Sequence, residues 1–153
     1  MKGFTFIELM VVVAIGAILT AGGLAAYRGI GEKEGLKQSG LGLESNLKLV
    51  QRKALSGEKP EGCSGTLESF QVTAGGDDQT YLVQARCSDF SPDAISYQLD
   101  KGIKFQPLIS QIDFEVLRQG VTGAQTIILT TTAGNFSYQV VVETGGVIRG
   151  RAL

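Results

Sequence analysis

Nineteen consecutive residues without a charge, Leu9 to Tyr27, constrain this chain more than anything else in it. As a helix the run is long enough to cross the roughly 30 Å hydrocarbon core of a bilayer. A secretory signal peptide carries a shorter apolar core of at most about 15 residues before its cleavage site. "TAGGLAA" imitates such a site, which is the alternative reading. Glu8 stands directly before the run and is the only acidic residue ahead of Glu32. A carboxylate at the centre of a membrane helix costs roughly 2.5 to 3.5 kcal/mol, so Glu8 is expected to have a partner. The alternative is a carboxylate at the interface, touching only water and headgroups.

Beyond Tyr27 the chain turns polar, and Leu36, Leu43, Leu47, Val50 and Ala54 recur at spacings of seven, four, three and four. That places them on one helical face, suited to lying on a sheet. Gly57 followed by Pro60 reads as the helix stop. The pattern predicts one long helix from about Phe4 to Ser56, with an apolar part over 4–27 and an amphipathic part over 28–57. Gly29, Gly31, Gly35, Gly40 and Gly42 weaken the stretch between, and a break there is the alternative.

Residues 58–153 read as a sheet-forming head. "TLESFQVTA" and "TYLVQARC", joined by "GGDDQ", signal a hairpin. "GIKFQ", "QIDFEVL", "QTIILTTT", "FSYQVVVE" and "GVIRG" follow as strands, with turns at "GVTGA", "TAGN" and "TGG". Ile112, Phe114 and Val116 alternate as a half-buried strand does, and so do Phe136, Tyr138 and Val140. The economical arrangement is an antiparallel sheet against the helix, an α+β fold.

Composition narrows the chemistry. With 14 basic and 15 acidic residues and a net charge of -1, no global field points to nucleic acid. The chain contains no histidine, the commonest metal ligand and general acid/base near neutrality. Its serines therefore lack the usual activating base. Asp77 and Asp78 sit beside Gly75 and Gly76, where a solvated hairpin turn explains them better than catalysis. Neither an enzyme activity nor a cofactor or metal is expected. Cys63 and Cys87 are too few for a structural zinc site. In an exported head they favour one disulfide, against two unpaired buried thiols.

"KG" followed by "FTFIELMVVVAIGAILTA" resembles the start of type IV prepilins and type II secretion pseudopilins. The resemblance implies a leader, residues 1–3, removed by a prepilin peptidase between Gly3 and Phe4, with N-methylation of the new terminus at Phe4. Glu8 falls where that family places its glutamate. There it is implied to pair with the Phe4 amine of a neighbouring subunit as helices bundle into a filament. The sequence departs in one respect: many relatives carry a kinking proline late in the apolar run, where Ala25 and Ala26 here follow Gly22 and Gly23.

The implied life cycle is a single-pass subunit of the cytoplasmic membrane, head outside the cytoplasm, drawn from lipid by an inner-membrane assembly platform. It then enters an extracellular or periplasmic filament with other pilin or pseudopilin subunits. In the second half, "GIKFQ", "IDFEVLRQGVTGAQTIILTTT" and "YQVVVETGGVIRGR" are similar to heads of minor pilins and of the H-type pseudopilin. Cys63 and Cys87 precede the C-terminal loop that major pilins commonly staple, which also points to a minor subunit. A second role follows from Arg149 and Arg151, which resemble the arginine-bearing end of some minor pilins used in DNA uptake.

Overall fold

The apolar spacing of the N-terminal third is realised as one helix, α1, Phe6–Ser56, 51 residues long. It belongs to a computed structural model that describes residues 5–153, with the backbone alone at 21–28. The chain divides into two units, one ending at Glu34 and the other running from Gly35 to Leu153. The first is helical and its described side chains are exposed. The glycines at 29, 31, 35, 40 and 42 do not interrupt α1. Their cost, up to about 1 kcal/mol each against alanine, is met in the second unit by a buried face.

That face is Leu36, Leu43, Leu47, Val50 and Ala54, all nearly inaccessible to solvent. Gly57 ends the helix in the left-handed region at φ 64°. Its N–H donates to the Ala54 carbonyl at 3.1 Å, and the Glu58 N–H to that of Lys53 at 3.1 Å, the paired bonds of a Schellman cap. A third donor reaches the same end from the sheet: the Leu117 N–H meets the Ala54 carbonyl at 3.0 Å.

Nine strands follow: β1 (Leu67–Ala74), β2 (Thr80–Cys87), β3 (Ile95–Gln98), β4 (Ile103–Phe105), β5 (Ile112–Glu115), β6 (Val121–Thr122), β7 (Gln125–Thr131), β8 (Ser137–Val142) and β9 (Ile148–Ala152). The expected β1–β2 hairpin is present. The expected antiparallel packing against the helix is present as well, and the strands divide into two antiparallel sheets, ordered β3-β2-β1-β5-β6 and β4-β7-β8-β9. The division follows from side chains that meet at long range. Ala85, Phe70 and Phe114 align across β2, β1 and β5 as one buried row, and Val83, Val72 and Ile112 as the next. Phe105, Leu129 and Tyr138 align across β4, β7 and β8 in the other sheet. "GVTGA", expected as a turn, contains β6, which pairs with β5. The strand β3 was not foreseen at all.

Four hydrogen bonds stitch α1 to this head. Ser39 Oγ donates to Asp100, Asn46 Nδ2 to the Tyr81 hydroxyl (2.7 Å) and Gln51 Nε2 to the Gly146 carbonyl (2.5 Å). The fourth is the Leu117 bond to Ala54. The Tyr81 ring stacks on Tyr97 at 5.2 Å and meets Phe105 edge-on at 6.1 Å. Burial pushes the Tyr81 hydroxyl above its ordinary value, and the bond from Asn46 pulls it part of the way back.

Candidate functional site

Glu8 sits in the first turn of α1. Its carboxylate Oε2 accepts from the Thr5 backbone N–H at 3.1 Å and from the Thr5 hydroxyl at 3.1 Å. In return the Glu8 N–H donates to Thr5 Oγ1 at 3.4 Å. This reciprocal arrangement is a capping box, which satisfies two backbone donors that a helix start otherwise leaves bare. A carboxylate there also lies at the favourable positive end of the helix dipole. Thr5, which residue type alone does not single out, is the partner of Glu8 here, and Thr-x-x-Glu before an apolar run is the sequence signature of that pairing.

Around this box the helix surface is uncovered. Phe6, Ile7, Ile18 and Leu19 are each at least 70% exposed, and Leu9 to Val13 are exposed as well. An apolar surface this continuous calls for lipid or other protein. Among the described residues no helix is long and apolar enough to cross a membrane. The run from Leu9 to Tyr27 extends into 21–28, whose side chains lie outside that set. Gly3 and Phe4, the expected cleavage and methylation positions, also lie outside the described residues.

The remaining expected residues are in the head. Cys63 and Cys87 are bonded to each other, with Cα atoms 5.8 Å apart, tying the loop after α1 to the end of β2. Arg149 and Arg151 lie two apart on β9, hence on one face, and both are exposed. With the Gln139 amide oxygen turned toward it, Arg151 Nε donates at 2.8 Å. Within the head, these arginines on β9 and the disulfide at the end of β2 belong to different sheets. No cluster of three or more metal-ligating side chains occurs among the described residues.

Residues 1–24 match the family described as the prokaryotic N-terminal methylation motif. This supports a type IV prepilin-like family, and with it a structural role as pilin or pseudopilin. The match takes in Gly3, Phe4, Thr5 and Glu8. No curated protein and no solved structure matches the chain. The α+β architecture, a helix packed on antiparallel strands, is consistent with a pilin-like fold.

Proposed function

We propose that this protein is a structural subunit of a type IV pilus or type II secretion pseudopilus, with no catalytic activity of its own. The prepilin peptidase cuts between Gly3 and Phe4 and the new terminus is methylated. The subunit waits in the cytoplasmic membrane as a single-pass protein, head outside, until an assembly platform draws it into a fibre with other subunits. The observation that carries this reading is the methylation motif over residues 1–24, leading into a helix whose apolar surface nothing in its own unit covers. In the fibre, that surface is buried against neighbouring helices, and the Glu8 carboxylate takes the Phe4 amine of a neighbour as counter-ion. An unpaired charge in such a setting costs roughly 3 to 5 kcal/mol, so the pairing selects one register.

The test is intact-mass and N-terminal analysis of the protein purified from membranes and from sheared fibres. The expected species lacks Met1–Gly3 and carries one added methyl group at Phe4. A fibre-associated chain that retains Met1–Gly3, or no chain in fibres at all, refutes the assignment. Copy number in the same fibres tests the finer expectation of a minor subunit.

A further inference from the structure

The sequence contains two asparagines, and the fold treats them differently. Asn46 is turned toward the first sheet, where its amide donates to the Tyr81 hydroxyl at 2.7 Å. Asn135 is exposed in the turn between β7 and β8 and opens the tripeptide Asn135-Phe136-Ser137. Asn-x-Ser/Thr, with any residue but proline in the middle, is the acceptor pattern for N-linked sugar. What gives that short pattern meaning is its setting, a surface turn on an exported domain.

The β7–β8 turn supplies that setting. Thr130 pairs with Ser137, and the residues between them close the hairpin. Backbone groups hold it: the Gly134 N–H donates to the Thr131 carbonyl at 2.8 Å, and the Thr131 N–H to that of Phe136 at 3.2 Å. The Asn135 amide is therefore not needed for the turn. Gly134 reverses the chain in the left-handed region at φ 74°, and a Cβ placed on it meets open space, so the approach to Asn135 is uncrowded. Phe136 and Tyr138 turn inward and pack on the core, which sends Ser137 between them to the outer side, beside the exposed asparagine. We propose that Asn135 is the acceptor for an N-linked glycan, with a lipid-linked sugar diphosphate as donor and the Ser137 hydroxyl as the group a transferase reads. In the transfer, the Asn135 amide nitrogen bonds to the anomeric carbon of the sugar. The bond from that carbon to the phosphate oxygen breaks, its electron pair leaves with the diphosphate, and one amide proton passes to a base of the transferase. The inference rests on the head lying outside the cytoplasm, as in the proposed function, and does not require the fibre.

The experiment is intact-mass analysis and peptide mapping of the full-length chain, purified from membranes of the organism that makes it. The expected chain is heavier than its polypeptide by whole sugar residues, and fragment ions place them on the Asn135 side chain. Asn135→Gln and Ser137→Ala are each expected to lose the sugar completely. Ser137→Thr, which keeps the hydroxyl, is expected to retain it. Far-UV circular dichroism spectra like that of the wild type in all three variants separate a lost acceptor from a lost fold. A wild-type Asn135 peptide without sugar overturns the inference. So does sugar that survives Asn135→Gln or Ser137→Ala. Absence of the chain from sheared fibres removes the filament reading and leaves the sugar result standing, whereas an unmodified chain in fibres removes the glycan alone.

Discussion

At the scale of single residues, Glu8 has two jobs that one substitution can separate. Its carboxylate closes a capping box with Thr5, and in the proposed fibre it carries the charge that answers an amine. Glutamine serves a capping box nearly as well as glutamate but has no charge. Glu8→Gln is therefore expected to keep the helicity and membrane retention of the wild type while fibre yield falls, as it is expected to fall with Glu8→Ala, which removes the charge and the cap together. Circular dichroism of the solubilised chain and immunoblots of sheared fibres measure the two effects. Wild-type yield from Glu8→Gln leaves only the cap. Thr5→Val tests the converse: the cap is lost, at a cost of about 1 kcal/mol to the first turn, while the charge stays. Tyr81 supplies a second prediction. Its proton is held in the folded state beyond the ordinary value of 10.0, whereas the unfolded chain releases it there. The resulting stability is whole below that value and fades as pH rises through the folded value. Denaturant midpoints followed above neutral pH are expected to fall in step with tyrosinate absorbance, and less so in Tyr81→Phe.

At the scale of elements, the glycines of α1 separate into those that weaken it and those that fit it. A Cβ at Gly42 meets open space, whereas one at Gly40 overlaps the buried Tyr138 ring of β8. Gly42→Ala is expected to stabilise the head by about 0.5 to 1 kcal/mol, and Gly40→Ala to destabilise it by about 1 to 3 kcal/mol, in urea titrations. The sequence could not tell these two apart, because the difference lies in a ring almost a hundred positions away. The helix itself was legible, since Leu36, Leu43, Leu47, Val50 and Ala54 keep helical spacing and all five are buried. The β1–β2 hairpin was legible from its turn residues. Strand β3 was not: Ile95, Ser96, Tyr97 and Gln98 are all at least partly exposed at a sheet edge, so no clean alternation marks them. The division into two sheets was equally hidden, because Phe70 finds Phe114, and Phe105 finds Leu129, only after long loops close. At the candidate site, Glu8 stood out as a charge beside an apolar run, while Thr5 passed as an ordinary polar residue.

At the scale of the whole molecule, the Cys63–Cys87 bond closes a loop with a sequence separation of 24 just past the end of α1. Loop closure of that length is worth about 3 kcal/mol in the chain-entropy model. Replacing both cysteines by serine is expected to lower unfolding stability by about 2 to 4 kcal/mol, read from urea midpoints with and without reductant. The wild type in reductant is expected to approach the variant.

The bonds that stitch α1 to the head carry a further consequence. Ser39, Asn46, Gln51 and Ala54 anchor to the β3–β4 connection, to β2, to the β8–β9 turn and to the β5–β6 turn respectively. A pull along the helix axis therefore loads four separate parts of both sheets at once, and the buried leucines must slide rather than peel. Such an attachment resists tension in the way a row of rivets does, with no single fastener whose failure frees the rest.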